Sequence, residues 1–336
     1  MAEEILRSLY RIVVPLPGSP LKELNSYVLT GPDRDLVIDT GMNRPECLDA
    51  LQSGLAEIGI DLDRTDFLAT HLHADHHGLI PTLLKPGRRA YMGAVDAGHM
   101  RHGFGWSTDS PMGRYMARSG FPADDLVASF QNHPGFKFRP HRIVEYEHLY
   151  EGDVVEIGDY RLRVIDTPGH THGHISLYDP DQRLFIAGDH VLGDITPNIQ
   201  AWSDDDDPLA DYLASLGKVE ALDVELCLPG HRRLIHQFHR RTRELAEHHH
   251  ERAAEIVEVL TADGPRNAYD TAARMTWDIV ARSWEEFPIL QRWFATGEAI
   301  AHLRFLEEQG RVERRDVGQH IVYSAEGPGG NASCDR

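Results

Sequence analysis

His71-Leu72-His73-Ala74-Asp75-His76-His77-Gly78 follows directly on the apolar run Phe67-Leu68-Ala69, and its reading decides the fold of the chain around it. Two histidines at i and i+2 in an extended segment project to the same side, because side chains alternate across a strand. Asp75 and His76 come next, on the turn, where they address a second point close by. The plainer reading is a solvated loop that happens to be rich in histidine. Four ligand-type residues within positions 71–76, at a strand end, speak against it.

The same pattern recurs downstream: an apolar strand, a tight glycine turn, then a ligand-type residue. Val164-Ile165-Asp166-Thr167-Pro168-Gly169-His170 is one such strand end, Phe185-Ile186-Ala187-Gly188-Asp189 another, and Leu226-Cys227-Leu228-Pro229-Gly230-His231 a third. Each glycine lets the backbone turn sharply, so that the next side chain faces inward. A lone Pro-Gly-His carries no weight. Three such ends in series after a histidine-rich motif do.

In this order the residues resemble the motifs of the metallo-β-lactamase superfamily, over roughly residues 10–236: Asp39 in Val37-Ile38-Asp39-Thr40-Gly41, then the histidine motif, then the ends at His170, Asp189 and His231. The resemblance implies an α+β chain with an αββα sandwich, two β-sheets face to face and helices outside. It implies that His71, His73 and His170 bind a first metal ion, that Asp75, His76 and His231 bind a second, and that Asp189 bridges both. Asp39 would then orient a ligand rather than be one. Asp75, ligand and proton acceptor at once, is the catalytic residue expected to hold an attacking hydroxide. The match is closer to the glyoxalase II and lactamase-like hydrolase branch than to true β-lactamases, which place Cys where this chain has Asp189. Imidazole and carboxylate ligands suit two divalent ions, with zinc expected and Fe or Mn as alternatives. Two such ions activate a shared water for attack on a carbonyl or phosphoryl centre.

Around these motifs three regions are expected. Residues 1–238 form the catalytic domain. Within it, residues 94–141 carry Phe104, Trp106, Met112, Tyr115, Met116, Phe121, Phe130, Phe136 and Phe138, broken into short pieces by Gly and Pro. That stretch reads as a helical insertion, either a lid over an organic substrate or ordinary core. Residues 239–325 show helical stretches at 239–262, 267–284 and 287–309, then a two-strand hairpin turning at Gly318, the outline of a small winged-helix-like domain. Residues 326–336 read as a disordered tail. Ile289, Leu290, Trp293, Phe294, Ile300, Leu303 and Leu306 give the last helix an apolar face that needs a partner, either the catalytic domain or a second subunit of a homodimer.

The remaining composition narrows the choice of partner. The 336 residues carry a formal net charge of −19, which disfavours a polyanionic partner. The arginines of the C-terminal region (Arg240, Arg241, Arg243, Arg311, Arg314, Arg315) are interleaved with acids, as on a salt-bridged surface. Cys47, Cys227 and Cys334 are widely spaced and read as free thiols. The N-terminus is acidic where a signal peptide is basic, and no apolar run reaches the length of a membrane helix, so a cytoplasmic location is expected. Among the other histidines, His77, His172 and His174 read as neighbours of the ligands, His190 as a candidate substrate contact, and His248, His249 and His250 as a solvated helix face. A small-molecule substrate and an acyl carbonyl as the point of attack, most simply a thioester, are expected. A lactonase or other ester hydrolase is the second reading. A nuclease or nucleic-acid-binding protein with a winged-helix tail is the third.

Overall fold

The computed structural model describes residues 1–102, 107–142, 144–278 and 281–326. Phe104, Trp106, Cys334 and the tail beyond Glu326 lie outside the described residues. The chain divides into two compact units. The first comprises residues 1–104, 134–197 and 211–245, the second residues 105–133, 198–210 and 246–336.

The first unit is built on two sheets. Strands β1 (Ala2–Leu6), β2 (Leu9–Pro15), β3 (Glu23–Leu29), β4 (Asp35–Ile38), β5 (Thr65–Ala69), β6 (Ala90–Gly93) and β7 (Glu147–Leu149) lie side by side in chain order. The pairing is antiparallel as far as β4 and parallel from β4 to β7. The second sheet has the order β12-β11-β10-β9-β8, from β8 (Val154–Ile157), β9 (Tyr160–Asp166), β10 (Ile175–Asp179), β11 (Leu184–Gly188) and β12 (Leu226–Pro229). Its last pair, β11 and β12, is parallel.

One apolar core joins the sheets. Leu9, Tyr27, Leu36, Ile38 and Leu68 of the first pack with Leu162, Val164, Leu177, Leu184, Ile186 and Leu228 of the second. Strand β9 alternates buried and exposed residues over Tyr160–Val164, as a strand with one face on a core must. Strands β5 and β11 are buried along their whole length; β11 reads as an unbroken apolar run, and β5 as one from Phe67 to Ala69.

Helix α1 (Pro45–Ile58) starts at a proline, ends at Gly59 with φ +81°, and buries Cys47, Leu51, Gly54 and Leu55. A Cβ at Gly54 would stand 2.6 Å from the Ile12 side chain, so this helix lies directly on β2. Short helices α2 (Ala74–His77) and α3 (Ile80–Leu83) follow β5, and α4 (Ala94–His102) follows β6. Cys47 and Cys227 are free and buried.

The segment read as an insertion folds into α4, α5 (Pro111–Arg118), α6 (Ala123–Asn132) and α7 (Pro134–Lys137). Helix α8 (Pro208–Glu220) precedes β12. Helix α9 spans Phe238–Asp263; in the second unit α5 and α6 share a core with its Ala253, Ile256 and Leu260, with α10 (Ala268–Ala272), α11 (Ile289–Glu308) and the hairpin β13 (Val312–Val317) and β14 (His320–Ala325). Tyr115, Met116, Phe121 and Phe130 are buried in that core, with Phe121 and Phe130 edge-on to Trp293 at 5.5 and 5.1 Å between ring centroids. These aromatics are therefore core residues of the second unit and are not available to cover a substrate.

Two expectations for the C-terminal region are corrected. The stretch 267–284 is helical only over α10. The Trp277 indole donates to Ala272 O at 2.7 Å, occupying a carbonyl the helix needs to continue. Its residues 279–280 lie outside the described ones. The apolar face of α11 also needs no second copy of the chain, because Trp293, Ile300, Leu303 and Leu306 are buried in the unit's own core. The hairpin turns at Gly318, φ +64°, as its sequence requires. Among the described residues no helix is long and apolar enough to cross a membrane.

Candidate metal centre

The seven residues singled out from sequence all lie in the first unit, beyond the ends of β5, β9, β11 and β12, with Asp75 and His76 on the short helix α2. The structure gathers them into overlapping groups whose donor atoms could hold a metal ion: His71, His73 and His170; His71, His76 and Asp189; Asp75, His76 and His231. In the first group His73 Nδ1 lies 3.0 Å from His71 Nε2 and 2.9 Å from His170 Nε2. In the third, His231 Nε2 stands 3.5 Å from Asp75 Oδ2, and it lies 3.3 Å from Asp189 Oδ2 of the second. Asp189 reaches all sides, with Oδ1 3.5 Å from His76 Nε2 and Oδ2 3.6 Å from His170 Nε2.

Local backbone geometry explains the convergence. Gly169 has φ +135°, and a Cβ there would strike the Tyr212 backbone, so only glycine turns the chain tightly enough to deliver His170. A Cβ on Gly230 would sit 2.5 Å from Asp189 Oδ1 and 2.9 Å from His76 Cε1. The backbone before His231 is thus pressed against two other donors. Asn25 holds this loop by donating from Nδ2 to Pro229 O and Arg232 O, and Tyr27 donates to Pro229 O.

Outer partners set which ring nitrogen faces inward. His76 Nδ1 donates to Asp39 Oδ2 at 2.8 Å and His231 Nδ1 to Glu23 O at 2.6 Å. Thr70 Oγ1 is committed as a donor to Asp39 Oδ2 and lies 3.1 Å from His71 Nδ1, which can only donate to it. In each ring Nδ1 directs a proton outward and Nε2 faces the centre, the orientation metal-binding imidazoles need. His174 Nε2 accepts from Asp189 N, so its Nδ1 donates to Thr167 Oγ1.

The electrostatics match. Burial among other histidines drives the His71 ring well below its ordinary pKa, keeping it neutral. Burial also opposes charge on His76, but Asp39, Asp189 and Asp75 outweigh it and hold this ring well above the usual value. Burial disfavours the Asp189 carboxylate, and the His231 and His76 rings overcome this to hold it well below the carboxylate range. His76 Nε2, His231 Nε2 and Asp189 Oδ1 are buried without a hydrogen-bond partner. Buried polar atoms left this way are costly, and a cation among them removes the cost. The donor set contains nitrogen and carboxylate oxygen and no thiolate, which suits zinc, iron or manganese.

The remaining histidines separate clearly. His77 turns away, its Nδ1 3.3 Å from the Tyr146 hydroxyl, and burial lowers its pKa to about 4. His190 is fully buried beside Tyr212, with ring centroids 5.2 Å apart, and is not exposed to a substrate. His249, expected on a solvated face, is buried in the second unit with its Nδ1 3.1 Å from His302 Nε2. Sequence reading missed Asn25, Tyr27, Thr70 and Asp96. Thr70 alone carried a signal, as the residue next to the histidine motif.

A face-to-face sandwich with imidazole and carboxylate donors at its loop ends is the framework of a hydrolase. The chain belongs to the metallo-β-lactamase superfamily: the description of that family matches residues 23–231, and that of the metallo-beta-lactamase-like C-terminal domain matches residues 254–324. The acyl-coenzyme A thioesterase MBLAC2 of Homo sapiens is 30% identical over 223 residues, 62% of this chain and 72% of that protein. An atrochrysone carboxyl ACP thioesterase of Emericella nidulans is 27% identical over 222 residues, 66% of this chain and 55% of its own length. Among solved structures, a metallo-beta-lactamase family protein from Thermus thermophilus superposes with a TM-score of 0.81 at 28% identity, covering 96% of this chain and all of that one.

Proposed function

We propose that the protein hydrolyses thioesters of small or acyl-chain substrates at a centre of two divalent metal ions, zinc in the first instance. His71, His73 and His170 would hold one ion, Asp75, His76 and His231 the other, and Asp189 both. The observation that carries this reading is the convergence of the buried, inward-facing His76 Nε2, His231 Nε2 and Asp189 Oδ1, which have no hydrogen-bond partner. When bound, ions in such a pair supply a water acidified towards neutrality and a positive pole for the developing oxyanion.

The chain supplies the rest. Asp75 receives the proton of the attacking water on its carboxylate and keeps that water oriented towards the carbonyl. Asp39, Thr70 and the Glu23 carbonyl hold the imidazole tautomers through the cycle. The thioester assignment draws on the relatives that are themselves thioesterases of acyl-coenzyme A and of a carrier-protein-bound acyl group.

The test is a hydrolysis screen of the full chain against acyl-coenzyme A thioesters, lactones, aryl esters, phosphodiesters and RNA, with elemental analysis of the same preparation. Turnover should be highest on thioesters, vanish with chelator and return on adding zinc. Two metal equivalents with turnover confined to lactones, esters or RNA would reject the thioester reading. Absence of metal together with chelator-insensitive turnover would reject the centre itself.

A further inference from the structure

Asp96 is fully buried in the first turn of α4 and belongs to none of the donor groups. Its carboxylate accepts three hydrogen bonds: from Leu72 N at 3.0 Å and Thr171 Oγ1 at 2.7 Å on Oδ2, and from Gly173 N at 2.7 Å on Oδ1. Leu72 is the residue between His71 and His73. Thr171 and Gly173 flank the turn that follows His170. One side chain therefore grips both loops that bring three imidazoles together.

The grip is close. A Cβ on Gly173 would lie 2.2 Å from Asp96 N and 2.7 Å from Asp96 Oδ1, and a Cβ on Gly93 would lie 2.4 Å from Gly173 O. The loop after His170 is pressed backbone to backbone against the junction of β6 and α4. Three donors among the described residues face the side chain, which suits an ionised carboxylate, an acceptor at every lone pair. An amide in its place would turn its NH₂ towards at least one of those donors. Burial raises this carboxyl to about 6, against the pull of the same three hydrogen bonds.

We propose that Asp96 is a positioning residue for the three-imidazole cluster, setting His71 and His73 through Leu72 and holding His170 against them through Thr171 and Gly173. The proposal rests on the reading of that cluster as a metal site. It predicts that loss of Asp96 weakens one of the two sites more than the other, because the three hydrogen bonds go to Leu72, between His71 and His73, and to the turn after His170, while the loops bearing Asp189 and His231 make none of them.

The experiment is a cobalt(II) titration of the metal-free full chain, followed by visible absorption and by competition with a chromophoric chelator. Parent, Asp96→Ala, Asp96→Asn and Thr171→Val are compared. His71→Ala and His231→Ala serve as spectral references for the loss of either site. Asp96→Ala should lose about ten- to a hundredfold in affinity for the equivalent that His71→Ala also loses, and keep the other. Asp96→Asn should fall between parent and alanine. Thr171→Val removes one hydrogen bond with little change of shape, so it should fold as the parent does and weaken the same equivalent severalfold. If Asp96→Ala does not fold, Thr171→Val decides. Parent-like affinity at both sites, or equal weakening of both, overturns the proposal while leaving the metal centre standing. A parent that takes up no cobalt overturns the metal reading and this inference with it.

Discussion

Asp39 Oδ2 accepts a hydrogen bond from His76 Nδ1 at 2.8 Å, and both side chains are buried. Asp39 adopts φ +59°, a left-handed conformation uncommon outside glycine, where aspartate is among the better tolerated residues. Its other oxygen accepts from Thr70 N at 2.8 Å. One carboxylate thus fixes both the end of β5 and the tautomer of a ring facing the centre.

Asp39→Asn should accordingly leave the fold intact and damage the centre. If the amide presents its NH₂ to His76 Nδ1, the ring proton moves to Nε2, the atom that faces inward. Affinity for one metal equivalent should fall about ten- to a hundredfold, as for other outer partners of ligating histidines. Chelator competition on the purified variant measures this. Parent-like affinity would show that the tautomer is fixed elsewhere.

Asp189 and His231 should separate by stoichiometry. Asp189→Ala removes oxygens that face His170, His76 and His231 together, so metal content should drop at both sites. His231→Ala removes a single nitrogen, and one equivalent should remain. Elemental analysis after exhaustive buffer exchange distinguishes the two. Equal losses in the two variants would argue against a shared carboxylate.

The sandwich and the clustering of the candidate ligands were both legible in the sequence, and the contacts around them were not. His71 to His76, His170, Asp189 and His231 announce themselves because each ends an apolar strand at a sharp turn, a local pattern that survives without any tertiary knowledge. Asp96 gives no such sign. It lies 24 residues from Leu72 and 77 from Gly173, on a helix with little amphipathic character, and only the packed structure reveals what it touches. The aromatics in and between α5 and α6 stayed open between lid and core for a related reason. Composition shows that Tyr115, Phe121 and Phe130 need an apolar partner, but not that it is Trp293, and a lid and a core look alike at that level. His249 was misplaced because three successive helical histidines point in different directions, and which one faces inward depends on the neighbouring α11.

Trp293 offers a direct check on that correction. Its ring is 1% exposed and meets Phe121 and Phe130. Trp293→Ala should cost about 3–5 kcal/mol of stability through the cavity it leaves. Denaturant unfolding reads the loss, and metal content of the folded fraction should stay at the parent level. A variant as stable as the parent would mean this core is not packed as described.

Stability should also fall in acid, with a sign that follows from the rings of His302, which is buried, and His133, which is half-buried. Burial lowers both His133 and His302 to about 4. Between pH 6.5, where an unfolded histidine takes its proton, and pH 4, the unfolded chain binds more protons than the native one. Each ring therefore removes roughly 1 kcal/mol per pH unit as pH falls through that window. Denaturant midpoints of metal-free protein from pH 7.5 to 4 trace the decline. His302→Gln should flatten the slope, and an unchanged slope would show that this ring is protonated in the native state.

The order of elements along the chain has a consequence for biosynthesis. All seven strands of the first sheet precede every strand of the sheet that covers it, and Phe130 precedes Trp293 by 163 residues. As the chain leaves the ribosome, the apolar face of β1–β7 is complete before anything exists to shield it, and α5 and α6 emerge long before α11. Contacts of such sequence separation form slowly. The nascent protein must spend much of its elongation with two half-built cores in water, the state in which chaperones bind and aggregates start.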